Sequence, residues 1–174
     1  YKMNMIVCVK QVIDPETPAA AFKIDPEAKR AVAPKDKPLV ISPFDENAVE
    51  AALRVKDAHG GKITVLSMGG KSAREVVKHS LAMGGDEGVL LTDPSFDDSD
   101  SFATAAALAE AIKKIGEYDL IFCGRQEADW DGGQVGSGIA ELLGIPSVTP
   151  IKKIDIKDGK AVVERVVADG YEVV

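Results

Sequence analysis

The densest run of chemistry-bearing residues is Gly124-Arg125-Gln126-Glu127-Ala128-Asp129-Trp130-Asp131-Gly132-Gly133-Gln134-Val135-Gly136-Ser137. It joins an apolar, strand-like run to a helix-like one. Glycines there let a ligand approach the main chain closely. Free N–H groups at such a turn, with the dipole of the following helix behind them, favour a phosphate. Glycine-dense turns also serve as plain tight connections, so the spacing leaves both readings open. Arg125 is suited to a phosphate or to a carboxylate on another chain. Asp131 is expected to cap the following helix. Trp130 needs a cover, which a ligand, a partner chain or the helix behind it would supply. The run matches neither GxGxxG nor GxxxxGK[ST], so neither a standard dinucleotide fold nor a nucleotide hydrolase is indicated.

Two further segments end strand-like runs in the same way: Cys8-Val9-Lys10, and Val65 to Gly70, read VLSMGG. Ser42-Pro43-Phe44-Asp45 reads as a helix start, with Ser42 as N-cap, Pro43 in the first turn and Asp45 returning the capping bond. The acidic loop Asp93 to Asp100 lacks the EF-hand spacing and reads as a solvated helix entry. His79 is expected on an exposed helix face. Cys8 and Cys123 each sit in an apolar run, so they are expected to be buried, inert thiols in a reducing compartment. No nucleophile–base or paired-carboxylate arrangement stands out, and no catalytic or metal-ligating residue is assigned.

Short β-rich runs alternate with helical ones, which predicts an α/β fold: a parallel, Rossmann-like sheet flanked by helices. Strands are expected at Asn4 to Lys10, Lys62 to Ser67, Gly88 to Leu91 and Asp119 to Cys123. Helices are expected from Ser42 to Gly60, from a Ser72/Glu75 capping box to Met83, from Ser101 to Ile115 and from Gly133 to Leu143. Gln11 to Leu39 reads as an excursion from the core, within which Phe22 to Ile24 and Ala31 to Ala33 are expected to pair as a small hairpin. After Pro146 the pattern changes to an antiparallel ribbon, Ile151 to Ile156 and Ala161 to Val167, turning at Asp158-Gly159. A single domain over 1–174 is expected, with residues 1–3 a tag or extension and a further segment lying beyond Val174.

The 174 residues are 45% hydrophobic and 5% aromatic, with a net charge of −7 and a pI near 4.9. That balance argues against nucleic acid and anionic membrane as partners. No apolar run reaches the roughly 18 residues of a spanning helix.

Four motifs, MNMIVCVKQVID, SPFDENAVEAALRVK, SLAMGGDEGVLL and DLIFCGRQEADWDGGQVGSGIAELLGIP, occur in an order that resembles the β subunit of electron transfer flavoprotein. The resemblance runs from Asn4 to Val174. It implies an adenine nucleotide α-hydrolase-like fold and a heterodimer with an α subunit that holds a redox-active FAD. It also implies AMP bound in the β subunit, or a second FAD that oxidises NADH in electron-bifurcating members. Carried over, the nucleotide pocket comprises Cys8, Ser42, Pro43, Phe44, Asp45, Val65 and the run Gly124, Arg125, Gln126, Glu127, Ala128, Asp129, Trp130, Asp131, Gly132, Gly133, Gln134 and Val135. Dehydrogenases such as acyl-CoA dehydrogenase would be electron partners, in the cytoplasm or, in a eukaryote, the mitochondrial matrix. A stand-alone regulator similar to universal stress proteins is the rival reading.

Overall fold

The computed structural model describes residues 2–174. In chain order it contains β1 (Met3–Cys8), β2 (Gln11–Val12), β3 (Lys23–Asp25), β4 (Arg30–Val32), β5 (Val40–Ile41), α1 (Pro43–His59), β6 (Gly61–Met68), α2 (Arg74–Met83), β7 (Glu87–Leu91), α3 (Ser101–Ile115), β8 (Leu120–Cys123), α4 (Val135–Leu143), β9 (Ile151–Lys157), β10 (Lys160–Val167) and β11 (Gly170–Val173).

Four strands form a parallel sheet in the order β7-β6-β1-β8. β1 is apolar without alternation because both of its faces are covered. Met5, Val7 and Val9 join a core with residues of α1 and α2, while Ile6 and Cys8 join a second core with residues of α3 and α4. The chain steps outward from β1 through β6 to β7, and α3 then carries it back to the other side of β1. Connections therefore reverse direction between β1 and β8. In open α/β sheets that reversal opens a crevice beyond the carboxyl ends of the strands.

The expected α/β architecture is present, and so are the small hairpin (β3 with β4) and the ribbon (β9 with β10). The ribbon turns at Asp158 and Gly159, both in the left-handed region with φ of 51° and 74°. β11 adds a third antiparallel strand to it. Ile154 and Ile156 attach the ribbon to the core beside α1.

Several helix starts differ from the local rules. α2 begins at Arg74 after a short 3-10 turn, Lys71–Ala73. Ser72 does not cap it: its hydroxyl donates to Gln11 Oε1 at 2.7 Å, across to the segment after β1. α4 begins at Val135 rather than Gly133, because Gly133 has a left-handed φ of 62° that a right-handed helix excludes. The acidic loop supplies true caps: Asp93 accepts from Ser95 N, and Asp100 accepts from Ala103 N at the start of α3.

Candidate functional site

The site is built where β1 and β8 end side by side, Cys8 in register with Cys123. Beyond them the start of α1 is tied over the end of β1 by Ser42 N donating to Lys10 O at 2.9 Å. The Asp45 carboxylate then bridges two chain segments. Lys10 N donates to its Oδ2 at 2.8 Å, and Gly124 N donates to its Oδ1 at 3.1 Å. The expected return bond from Asp45 to its own helix start is thus replaced by two long-range bonds. A Cβ on Gly124 would lie 2.3 Å from Asp45 Oδ1 and 2.9 Å from the carbonyl carbon of Phe44, so the loop can leave β8 here only through glycine.

Burial pushes the Asp45 carboxyl up to about 7, outweighing the downward pull of the Lys10 and Gly124 amides and the Lys10 charge. Ser42 does precede α1, and its carbonyl accepts from Asp45 N and Glu46 N at 2.9 and 3.0 Å. Its side chain makes no capping bond. The hydroxyl is fully buried and has no partner among the described residues. Ser67 Oγ, near the carboxyl end of β6, shares that condition and was not singled out from the sequence.

Past Gly124 the turn is held by its own side chains. Lys10 Nζ pairs with Asp129 Oδ1 at 2.8 Å, fastening the loop to the end of β1. The Arg125 guanidinium lies over the Phe44 ring, 5.9 Å from its centroid. Gln126 Nε2 donates to Asp131 Oδ1 at 2.7 Å, and Gly133 N donates to Glu127 Oε2 at 3.3 Å. Asp131, with φ 53°, is therefore engaged inside the loop and does not cap α4; Gln134 occupies the N-cap position without a side-chain bond. At Gly133 a Cβ would sit 3.1 Å from Arg125 O on a backbone already in the left-handed region. Ala128 is half-buried, while Trp130 through Gln134 are exposed. Trp130 is 78% exposed, so the helix behind it supplies no cover.

The structure thus gathers Ser42, Phe44, Asp45, Gly124, Arg125 and Asp129 around the end of β1, with Pro43 exposed at the rim and Val135 opening α4. Val65 stands apart, fully buried midway along β6 in the core shared with α1 and α2. Cys8 and Cys123 are free thiols, the first buried and the second half-buried. His79 is exposed and bonded to Glu46 Oε1 at 2.8 Å. Among the described residues no group of three or more His, Cys, Asp or Glu side chains is arranged to hold a metal ion, and no helix is long and apolar enough to cross a membrane.

Comparison with known proteins decides the family. The model of the electron transfer flavoprotein domain matches residues 30–174. The chain belongs to the electron transfer flavoprotein family. Within it, the chain is 46% identical over 172 residues to electron transfer flavoprotein subunit beta of Thermoanaerobacterium thermosaccharolyticum, covering 99% of this chain and 64% of that relative. It is 44% identical over 173 residues to the caffeyl-CoA reductase-Etf complex subunit CarD of Acetobacterium woodii, covering 99% of this chain and 64% of that one. Protein FixA of Azorhizobium caulinodans is 41% identical over 178 residues, covering 98% and 62%. The chain spans about 64% of the length of the electron transfer flavoprotein β subunit it matches.

Proposed function

We propose that this chain is the nucleotide-holding part of an electron transfer flavoprotein β subunit and takes one adenine nucleotide, AMP, at the β1–β8 switch point. The observation that supports the reading best is the exposed glycine turn at the carboxyl end of β8, fastened to β1 and α1 by Lys10 and Asp45. The residues present fit such a ligand. Gly133 keeps a left-handed backbone on which any side chain is strained, and the following helix points its amino end at the turn. The buried Ser42 hydroxyl leaves a polar group unspent beside the crevice.

In this reading main-chain amides of the Gly124–Val135 turn hold the phosphate, with Gly133 N giving up its bond to Glu127 for it, and Asp45 keeps the two strand ends at fixed separation. Arg125, stacked on Phe44, brings positive charge to an otherwise acidic chain. Trp130 offers an uncovered ring to the α subunit. A flavin bound with that subunit supplies the electron-transfer chemistry. This chain's part is binding and enclosure, with no catalytic residue of its own. Dehydrogenases such as acyl-CoA dehydrogenase are the electron partners, and the cytoplasm is the compartment that this reading implies.

A second reading is favoured by the relative named for a caffeyl-CoA reductase-Etf complex: the same crevice takes a second FAD and the complex oxidises NADH. Mass spectrometry of the nucleotides released from the denatured full-length heterodimer separates the two. One FAD with one AMP supports the first reading, and two FAD the second. A heterodimer that releases only the α subunit's FAD overturns both. Replacing Gly133 with Val is expected to weaken nucleotide binding at least about tenfold, read by calorimetry. Unchanged affinity rejects the phosphate turn.

A further inference from the structure

Cys8 and Cys123 lie 115 positions apart in the chain, yet they are the last residues of adjacent parallel strands and are partners in register. Neighbouring strands run about 4.8 Å apart, inside the Cα span of about 4.4–6.8 Å that a disulfide requires. Both side chains point to the same face of the sheet. Cys8 belongs to the core that α3 and α4 cover, and Cys123 packs against that core. Gly136 in the first turn of α4 lies over Cys123, where an added Cβ would be 3.2 Å from Cys123 Cβ and 3.6 Å from its Sγ. Both thiols are free, and they differ in access: Cys8 is buried and Cys123 is half-buried.

We propose that Cys8 and Cys123 form a redox-active dithiol that a hydroperoxide closes to an intramolecular disulfide across the carboxyl ends of β1 and β8. Cys123, the more accessible sulfur, reacts first. As thiolate it attacks the outer peroxide oxygen and the O–O bond breaks. The departing oxygen leaves as water or an alcohol, and Cys123 becomes a sulfenic acid. The Cys8 sulfur then attacks the Cys123 sulfur. The S–S bond forms, and the displaced hydroxide takes the Cys8 proton and leaves as water. Two thiols lose two electrons and two protons, and the peroxide accepts them. The thiol of Cys8 is held well above its ordinary value, chiefly by its hydrogen bond to Cys123 and then by burial, so it stays protonated and does not compete with Cys123 for the peroxide. The new bond would sit next to Gly124, the residue through which the glycine turn leaves β8 and whose amide is bonded to Asp45.

The test uses the full-length protein with its copurifying subunits. It is reduced, desalted, exposed to hydrogen peroxide, quenched with iodoacetamide in denaturant and digested without reductant. The expected product is a peptide linking Cys8 to Cys123, about 2 Da lighter than its two reduced halves and released by dithiothreitol. Cys8→Ser should abolish the linked peptide and leave a Cys123 sulfenic acid that dimedone traps. If that variant misfolds, the wild-type peptide map still decides. Accumulation of Cys123 sulfinic acid with Cys8 still alkylated overturns the proposal, as does full alkylation of both thiols after exposure to the oxidant.

Discussion

The central sheet secures its strands with carboxylates at both ends, and the two ends treat those carboxylates in opposite ways. At the amino end Asp86 Oδ2 accepts from Ile63 N at 2.8 Å and pairs with Lys56, while its side chain stays 37% exposed. Burial is the largest single influence and raises its carboxyl, but the bonds from Lys56 and Ile63 and the charges of Lys56 and Lys62 together outweigh it and hold the group below its ordinary value. At the carboxyl end Asp45 also accepts strand-end amides, yet only 8% of the residue is exposed and burial prevails, lifting its carboxyl to about 7. The bonding is alike and the solvation is not. An amino-end carboxylate that keeps its water and a cation secures the sheet at little cost. A buried one is a costly way to do the same job, so its presence at the switch point marks the place where the fold serves something besides its own stability.

The largest test of this contrast strikes the amino end, where main chain packs on main chain. Gly61 pairs with Met3 at φ 124°, and an added Cβ would lie 1.9 Å from Met3 O. Gly61→Ala therefore combines a left-handed-region cost with a backbone displacement, and is expected to lower stability by up to about 5 kcal/mol, measured by urea unfolding. A loss below about 1 kcal/mol would mean that the Met3 main chain gives way at this end with little resistance.

Next in size is the pH response of Asp45. Between the unfolded value of 3.8 and the folded value of about 7, the folded chain keeps a proton that the unfolded chain has released. The contribution of this group to stability is thus complete below 3.8, declines as pH rises toward 7 and is level above it. The span corresponds to a change on the order of 4 kcal/mol. In Asp45→Asn, which cannot ionise, that decline should vanish from the urea midpoint measured between pH 4 and 7.5. An unchanged slope would place the ionised carboxylate in a better-solvated site than the structure shows.

What the sequence reveals follows the same divide between local and distant partners. Alternation of β-rich and helical runs, the Pro43 helix start, the Asp158-Gly159 turn and the crowding of glycines after Cys123 are local signals, and each appears where expected. The caps did not follow local rules. Asp45 turns to amides 35 and 79 positions away, and Ser72 turns to Gln11, 61 positions away. Spacing cannot show such partners, since Asp and Ser fit a capping box equally well whether or not a distant group outbids the helix. Asp131 was diverted by the left-handed turn that Gly133 shares with it. The pairing of Cys8 with Cys123 depends on strand order, which emerges only when β8 returns to the far side of β1. The crevice was therefore legible as a set of strand ends, while the bonds that give it shape were not.

The smallest effect sharpens the comparison from the forgiving side. Asp86→Ala removes the acceptor for Ile63 N and the partner of Lys56, but water reaches the site. The expected loss is about 1 kcal/mol, well short of the several that a buried carboxylate commands. Because the Asp86 carboxyl is held below its ordinary value, its contribution is present above the unfolded value of 3.8 and is lost as pH falls through the lower folded value. Wild type and variant should therefore differ by a constant amount at neutral pH and converge only in acid, the reverse of the Asp45 profile. If the Asp86 difference instead grew toward acid, or exceeded the Asp45 effect, exposure would not be what separates the two ends. The assignment of the carboxyl end as the specialised one would then lose its physical basis.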